Sequence, residues 1–264
     1  MYKQMQILSA MPMASKKVGL GLLFKMIRNR IKIPTSSNFM EHAFIGDSIL
    51  RATGPGIVVE CGSYKGGSAA NLSLICAKAG RKLHVFDSFE GLPDPDDEGG
   101  HRLVMREEVH EYRRGDWRGG LNEVRENVSR WGRVDVCEFH PGYFDETLPG
   151  FNEPVVAAFV DVDLRSSLET CLRYLWPLLC DGARFFTHEA QHHEIASLFY
   201  DNAWWKENLA VVAPGLVGAG CGVGLVSNGE IFQSALGFCV KDSGARNFPH
   251  IHLTGLNSTV LPSS

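Results

Sequence analysis

The sequence predicts an α/β fold: a mostly parallel sheet of seven strands that finishes in an antiparallel hairpin, with helices on both faces. Short apolar runs rich in β-branched residues, typical of buried parallel strands, alternate with segments of helical periodicity. Asn228-Gly229, a strong hairpin signal, separates two strand-like runs near the C-terminus. The chain has 264 residues and is 44% hydrophobic, which is enough to bury a full core. These features indicate a doubly wound, three-layer architecture.

The predicted elements divide the chain into a helical accessory segment, residues 1–54, and a main domain, residues 55–264. Each predicted parallel strand is a short apolar run; these are 57–61, 82–87, 134–139, 155–160 and 183–187. Each predicted helix is longer, with its apolar residues at helical spacing; these are 66–79, 121–131, 167–179 and 194–205. The runs at 222–227 and 231–240 form the predicted hairpin.

Composition excludes several classes of function. The 26 basic and 30 acidic residues give a net charge of −4 without a dominant basic stretch, so a nucleic-acid partner has no electrostatic support. Charged residues interrupt the apolar run within 18–33, so stable membrane insertion is not expected, and no signal peptide is predicted. The seven cysteines are odd in number and irregularly spaced, which favours reduced thiols in a cytoplasmic protein.

A glycine-rich turn between the first predicted strand and its helix carries the first chemical motif. Glycine lets a backbone approach a ligand closely, and the helix N-terminus offers unpaired N–H groups. The spacing is Gly-x-x-x-Gly-Gly, not the Gly-x-Gly-x-x-Gly of dinucleotide sites, and a glutamate ends the strand. That carboxylate suits a cationic ligand such as S-adenosylmethionine better than a phosphate. The candidate cofactor contacts are Glu60, Gly62, Ser63, Gly66 and Ser68.

A second motif follows at the tip of the second predicted strand. Asp87 lies where an acidic residue accepts hydrogen bonds from both ribose hydroxyls of a nucleoside. The interval from Glu60 to Asp87 is right for one βαβ unit. The alternative for Asp87 is a helix or turn cap. The two motifs together indicate a nucleoside cofactor and favour S-adenosylmethionine.

Three sequence blocks at 60–68, 86–93 (FDSFEGLP) and 142–149 (GYFDETLP), in this order, resemble the macrocin O-methyltransferase family. A terminal hairpin in a parallel sheet is, by analogy, also the pattern of Rossmann-like class I methyltransferases. The resemblance covers roughly residues 55 to 240 and implies S-adenosylmethionine as methyl donor, with Glu60, Gly62, Asp87 and Asp161 as contacts. It implies that Ser88 and Phe89 flank the adenosine, and that the protein is a homo-oligomer.

The resemblance further implies a divalent cation, usually magnesium, at the ends of the fourth and fifth strands. Asp161 matches the first metal aspartate of the family, but His188 and Glu189 occupy the positions of an expected Asp-Asp pair. Three interpretations stay open: Asp161, His188 and Glu189 bind a softer metal such as manganese; the site keeps magnesium weakly; or the metal is lost. In the last case His188 is the general base, with Asp161 the other catalytic candidate.

His192, His193 and Trp117 are the candidate substrate contacts. Residues 188–192 also read His-Glu-x-x-His, the helix pattern of zinc proteases, but His188 ends a predicted strand, which argues against that class. Both histidines have an alternative as exposed polar residues at a helix N-terminus. Trp117 belongs to a mixed aromatic and charged cluster at 113–118, interpreted as a lid or as a surface turn.

The predicted function is therefore methyl transfer from S-adenosylmethionine to a small acceptor, a natural product or a sugar, at oxygen. Methylation at carbon or nitrogen, or metal-free chemistry with His188 as base, is the alternative within the same fold. A non-catalytic binding protein is the alternative from another class, and the intact cofactor motifs argue against it. The glycine spacing disfavours a nicotinamide dehydrogenase.

Overall fold

A central sheet organises the protein, whose computed structural model describes residues 17–95, 100–103, 109–217, 225–227, 230–232 and 235–242. The strands of the described residues are β1 (Ile57–Cys61), β2 (Leu83–Asp87), β3 (Gly100–Arg102), β4 (Val109–Glu111), β5 (Cys137–Pro141), β6 (Val155–Val160), β7 (Leu179–Thr187), β8 (Leu225–Ser227), β9 (Glu230–Phe232) and β10 (Gly237–Val240). The helices are α1 (Leu20–Lys32), α2 (Phe39–Arg51), α3 (Gly67–Ala79), α4 (Leu121–Trp131), α5 (Phe144–Thr147), α6 (Arg165–Leu175), α7 (His193–Leu198) and α8 (Asn202–Leu209).

Six strands form the central sheet in the order β10-β7-β6-β1-β2-β5. All neighbours pair in parallel except β10, which pairs antiparallel with β7. The strand order reverses between β1 and β6. The connections that follow these two strands run in opposite directions, which opens a crevice beyond the carboxyl ends of the strands. The topology therefore places a ligand site at the ends of β1, β2 and β6.

The structure confirms the predicted fold class and differs from the prediction in the details of the sheet. Six strands, not seven, pair in the central sheet of the described residues, because β8 and β9 pair only with each other and β10 takes the edge beside β7. Asn228, Gly229 and residues 222–224 of the predicted hairpin lie outside the described residues. The predicted strand at 134–139 begins with a 3-10 turn, so β5 covers 137–141.

Two predicted helices have different bounds for identifiable reasons. The helix predicted to reach residue 179 ends at Leu175, because a 3-10 turn with Pro177 in its first positions follows and leads into the long strand β7. The helix predicted at 194–205 is two helices. Asp201 caps the second of them by accepting hydrogen bonds from Ala203 N and Trp204 N, which breaks the continuity.

Helices cover both faces of the sheet, and alternate residues of β1 face the two cores. Val58 packs with α1 to α4, whereas Val59 packs with α6 to α8. Leu23 of α1 and Ile45 of α2 are fully buried in the first core, so the N-terminal helices contribute to the core of the main domain. The division of the chain at residue 54 stays a prediction. Among the described residues, no helix is long and apolar enough to cross a membrane.

Candidate functional site

A cavity of about 320 Å³ lies beyond the carboxyl ends of β1, β2 and β6. This volume is in the range of small-molecule sites. Five short segments supply much of its wall, each at the end of a strand or in a connection: 35–36, 62–64, 87–88, 116–117 and 161–163. The segment at 35–36 joins α1 to α2, so the N-terminal helices supply part of the wall as well as part of the core.

The turn after β1 requires glycine at two positions. Gly62 has φ +84°, and a Cβ there would lie 1.8 Å from the carbonyl oxygen of Asp161. Its N–H donates to Phe86 O at 3.0 Å, while Asp161 N donates to Cys61 O at 2.8 Å, so this turn is held against the ends of both neighbouring strands. Gly66 has φ +83° at the N-cap of α3. Because both glycines adopt these conformations, the N-terminus of α3 lies at the cavity. Ser68, in the first turn of α3, lines the cavity.

Asp87 connects this turn to the tip of β2. Its Oδ2 accepts hydrogen bonds from Ser63 N at 2.6 Å and Ser63 Oγ at 2.8 Å, and its Oδ1 accepts one from Phe89 N at 2.7 Å. Burial raises the pKa of Asp87, and these donors oppose the shift. Asp87 thus caps two turns and also lines the cavity.

Ser88 lines the cavity, but Phe89 is not among its lining residues. The Ser88 hydroxyl donates to Gly91 O at 2.8 Å, which fixes the turn after β2. Phe89 is buried and its ring packs near Phe139, with 6.5 Å between centroids. Of the two residues expected beside the adenosine, the structure therefore brings Ser88 to the cavity and turns Phe89 toward the core.

Glu60 lies in β1 and is fully buried. In the described part of the chain neither of its carboxylate oxygens has a hydrogen-bond partner. Burial raises the pKa of Glu60 to about 8, and the nearby Ser68 hydroxyl opposes this shift. Glu60 is not among the residues that line the cavity, although Gly62 and Ser68 beside it are. A buried carboxyl group without a partner is costly, so a cationic group close to Glu60 would be strongly stabilised.

His188 lies between two carboxylates at the end of β7. Its Nδ1 is 3.4 Å from Asp161 Oδ1, and its Nε2 is 3.2 Å from Glu41 Oε2. Glu41 belongs to the first turn of α2, where its carboxylate also accepts a hydrogen bond from Asn38 N at 2.8 Å in a capping box. Burial would lower the pKa of His188, but Asp161 and Glu41 raise it well above its usual value. The two carboxylates therefore favour the protonated form of the ring.

Glu189 faces away from His188 and supports the loop after β6. Its Oε1 accepts hydrogen bonds from Val162 N at 2.7 Å and Asp163 N at 3.1 Å, and its Oε2 accepts one from the Thr187 hydroxyl. Burial raises the pKa of Glu189 to about 7. Asp163 has φ +61°, a conformation that non-glycine residues rarely adopt, and the two hydrogen bonds to Glu189 hold it there.

The structure thus brings two of the three expected metal ligands together. Asp161 and His188 are in contact, but the carboxylate of Glu189 is committed to the backbone and to Thr187. Across the described residues, the three do not form a cluster with one donor atom of each within 4.8 Å of the others. A protonated imidazole also has no lone pair to offer a cation.

Two residues that the sequence interpretation did not select lie at this end of the site. Asp163 lines the cavity beside Asp161, and burial together with Asp161 and Glu189 raises its pKa well above the usual range. Tyr112 is buried, and after burial itself, Asp163 is the first of the charged neighbours that raise the pKa of its hydroxyl. The Asp-x-Asp spacing after the fourth strand is a visible signal for Asp163. Tyr112 belongs to no motif, so only the fold identifies it.

The three expected substrate contacts lie in different places. Trp117 lines the cavity and packs edge-on against Tyr64, with 5.5 Å between ring centroids. His192 is buried beneath the β3–β4 hairpin, where its ring stacks on His101 at 5.6 Å. Burial and its histidine neighbours lower the pKa of His192 to about 4. His193 is exposed at the start of α7. Neither histidine lines the cavity.

Known proteins are similar to this chain in sequence and in structure. A curated relative from Streptomyces olivaceus, 8-demethyl-8-(2,3-dimethoxy-alpha-L-rhamnosyl)-tetracenomycin-C 4'-O-methyltransferase, is 33% identical over 141 residues, 52% of this chain and 53% of the relative. The chain thus matches about half the length of that relative. The O-methyltransferase NovP has a TM-score of 0.58 at 21% identity, over 78% of this chain and 81% of NovP. The calicheamicin methyltransferase CalS11 has a TM-score of 0.54 at 17% identity, over 76% and 77% of the two chains.

The two structural similarities establish the fold, which is that of class I O-methyltransferases. The family model described as Macrocin-O-methyltransferase (TylF) matches residues 40–201, more than half of the chain. This match includes β1, β2, β6 and the residues that follow β7, and therefore the strand ends that surround the cavity. The chain belongs to the macrocin O-methyltransferase family.

Proposed function

We propose that this protein transfers the methyl group of S-adenosylmethionine to a hydroxyl oxygen of a natural product or of a sugar attached to one. The observation that carries the proposal is the cavity at the ends of β1, β2 and β6, which Asp87 and Asp161 line. The acceptor class is supported by the relative from Streptomyces olivaceus, which is a 4'-O-methyltransferase of a rhamnosyl compound.

The residues at the cavity fit S-adenosylmethionine, which supplies an activated methyl group on a sulfonium when it is bound. The unpartnered carboxyl group of Glu60 and the carboxylate of Asp161 suit its positive groups. Asp87 and Ser88 suit its ribose, and the glycine turn allows close approach of its amino-acid part. Ser63, Gly66 and Ser68 shape the same wall, because they fix that turn and the start of α3.

The donor set at the acceptor end does not fit the divalent cation that the family resemblance implies. His188 uses both ring nitrogens in contacts with Asp161 and Glu41, and Glu189 is committed to the backbone after β6. His188 instead lies between two carboxylates, which favour its protonated form, and a protonated ring would stabilise their close approach. A ring held in this way is a poor general base, and the role of His188 in this proposal is to position Asp161.

Asp163 is the general base of the proposed reaction. It lines the cavity beside Asp161, where a carboxylate can accept the proton of a bound hydroxyl. With the donor bound, the acceptor hydroxyl would give its proton to Asp163 while its oxygen bonds to the methyl carbon, and the carbon–sulfur bond would break to release neutral S-adenosylhomocysteine. Tyr112 and the backbone contacts to Glu189 hold Asp163 in place, and alignment of the two reactants supplies much of the rate.

Calorimetry and a methylation assay test the proposal. We expect S-adenosylmethionine to bind with micromolar affinity, equally with magnesium, with manganese and with EDTA. A panel of rhamnosylated and other glycosylated natural products serves as acceptors, and turnover should resist EDTA. Loss of turnover in EDTA with recovery on magnesium would contradict the metal-free mechanism, and absence of binding would contradict the methyltransferase assignment.

A variant separates the role of Asp163 from cofactor binding. Asp163→Asn should lower kcat about 100-fold or more, the usual range for a general base, and leave the Kd for S-adenosylmethionine within about threefold. Asp135→Asn, at an exposed aspartate paired with Arg133, is the matched control and should keep full activity. Equal activity of the two variants would remove Asp163 from the mechanism.

We also infer that the protein is a homo-oligomer and that it works in the cytoplasm. Leu20, Phe24 and Ile31 of α1 are 60%, 62% and 73% exposed, and an exposed apolar face of this kind favours a subunit interface. The cysteines of the described residues are free, which suits a reducing compartment. Light scattering coupled to size-exclusion chromatography tests the first inference, with Phe24→Glu as the variant expected to dissociate the oligomer.

A further inference from the structure

A cluster of histidine and glutamate side chains lies on the sheet at β2 and β5, and none of them lines the cavity. His84 of β2 is opposite Glu138 of β5 in the register, and His140 lies two residues further along β5 on the same face. His84, Glu138 and His140 each place one ligand atom within 4.8 Å of the others. Two consecutive strand pairings therefore bring together three side chains that can bind a metal.

The distances inside this cluster are short. His84 Nδ1 lies 3.0 Å from His140 Nε2, and His84 Nε2 lies 3.9 Å from Glu138 Oε2. Glu153, in the connection before β6, places its Oε1 3.4 Å from His84 Nε2. Bonds of about 2.0–2.1 Å in a tetrahedral zinc site separate neighbouring ligand atoms by roughly 3.3 Å. The separation of the two histidine nitrogens, 3.0 Å, is within about 0.3 Å of that value, whereas the two glutamates contact the other ring nitrogen of His84.

The environment of the cluster suits a metal ligand set. His84 is 3% exposed, and the ring of His140 stacks on Phe86 with 4.1 Å between centroids, so both rings are held in place. Glu138 is 52% exposed, so its carboxylate is free to turn toward an ion.

We propose that His84, Glu138 and His140 bind a zinc ion, with water as the fourth ligand. Neutral imidazole and carboxylate are the ligands that zinc takes in tetrahedral protein sites. The ion takes the histidine nitrogens that face each other, Nδ1 of His84 and Nε2 of His140, and Glu138 turns in from the solvent side. Glu153 then accepts a hydrogen bond from Nε2 of His84 and fixes that ring. The ion would cross-link the edge strand β5 to β2.

The proposed zinc site can affect the cavity only indirectly, through the segment of chain that connects the two. Strand β5 leads directly into the segment that carries Tyr143 and Glu146, which form part of the cavity wall. A bound ion would therefore fix the base of that wall without touching the reacting groups. The inference does not depend on the proposed methyl transfer, because neither the three ligands nor Glu153 lines the cavity.

Zinc titration of the chelator-treated full chain tests the proposal. We expect one zinc ion per chain with a Kd in the micromolar range or tighter, and no comparable heat with magnesium. At a free zinc concentration of 100 times Kd, the melting temperature should rise by about 5–10 °C. Binding weaker than millimolar, or a melting temperature indifferent to zinc, would overturn the proposal.

Variants identify the ligands and separate them from other histidines. His140→Asn and the exposed Glu138→Gln should each weaken zinc binding at least tenfold and remove the thermal shift. The controls are His193→Asn, at an exposed histidine, and His110→Asn, at the second histidine cluster; both should bind zinc as the wild type does. If His140→Asn does not fold, the zinc affinity of Glu138→Gln tests the ligand assignment. Wild-type affinity in Glu138→Gln, or loss of binding in His110→Asn, would place the zinc elsewhere.

Discussion

Replacing Gly62 with alanine tests how the cavity is closed between β1 and β6. The new Cβ would lie 1.8 Å from the carbonyl oxygen of Asp161, whereas Cβ atoms in proteins essentially never come closer than 3.0 Å to another heavy atom. One of the two backbones must therefore move by about 1.2 Å, the difference between these distances. The obstacle is a backbone oxygen, which cannot rotate away as a side chain would.

The magnitude follows from two separate costs. An L-residue in the left-handed region costs about 1–2 kcal/mol, and Gly62 has φ +84°. Overpacking adds about 1–3 kcal/mol where the neighbours are rigid. Gly62→Ala should therefore lose about 2–5 kcal/mol of unfolding free energy, which most domains of this size survive. A displacement of about 1 Å near Asp161 should also lower turnover about 100-fold.

Gly54→Ala is the matched control, because Gly54 has nearly the same φ, +79°, and no atom lies within 4 Å of the point that a Cβ would occupy there. It should show only the conformational cost, about 1–2 kcal/mol, and bind S-adenosylmethionine as the wild type does. Urea unfolding followed by tryptophan fluorescence gives the two free energies, and calorimetry gives the two dissociation constants. We expect at least tenfold weaker cofactor binding for Gly62→Ala.

The reasoning is refuted if the two alanine variants lose the same unfolding free energy and bind S-adenosylmethionine equally well. That result would mean that the loop after β6 adapts to a side chain at position 62 without cost. Gly62 would then be required only for its backbone conformation, and its contact with Asp161 would not control the cavity.

Three further predictions concern the carboxylates of the site. Asp87→Asn should weaken cofactor binding about tenfold, since it removes charge-assisted hydrogen bonds, and calorimetry with Asp135→Asn as control checks this. Glu189→Ala should lower kcat about 100-fold because the Asp163 loop loses its support, whereas Glu189→Gln keeps an oxygen for the two N–H groups and should lose less than tenfold; equal losses would indicate that the negative charge itself is needed. Glu60 has its pKa raised to about 8 from 4.5, so the folded protein holds a proton that the unfolded chain releases, and stability falls as pH rises from about 4.5 to 8. In urea unfolding of the cofactor-free protein, Glu60→Gln should therefore lose less stability than the wild type between pH 5.5 and pH 8, and parallel pH profiles would count against a buried, protonated Glu60.

The sequence predicted the parts of the site that depend on strand order. Gly62, Asp87 and Asp161 each end a strand or follow one directly, and the ends of parallel strands meet at one edge of a sheet. Their residue types also report local constraints: glycine at a positive φ, and a carboxylate that caps a turn. Each of these properties is contained in a few consecutive residues, so no knowledge of distant contacts is needed to find them.

The sequence could not predict the direction in which the side chains after β7 point. His188 and Glu189 are adjacent, yet one faces Asp161 and Glu41 while the other faces the backbone at 162–163. A pattern gives the position of a ligand type on a strand, but rotamers depend on which partners the fold brings near. The prediction of a metal site with three ligands was the one most affected, because it depended on the directions of these two side chains.

The N-terminal helices show the same limit over a longer distance. Glu41 and His188 are separated by 147 residues, and no local signal connects them. The cavity position of Ser36, the contact of Tyr112 with Asp163, and the burial of His192 beneath a hairpin likewise depend on contacts between distant segments.

By itself, then, the sequence determined the α/β fold, the family and the residue types at the ends of β1, β2 and β6, because periodicity and turn chemistry are local. The tertiary structure alone decided which groups meet at the ends of β6 and β7 and in which direction their pKa values shift. Burial and the charges of distant neighbours set those pKa values, and both exist only once the chain has folded.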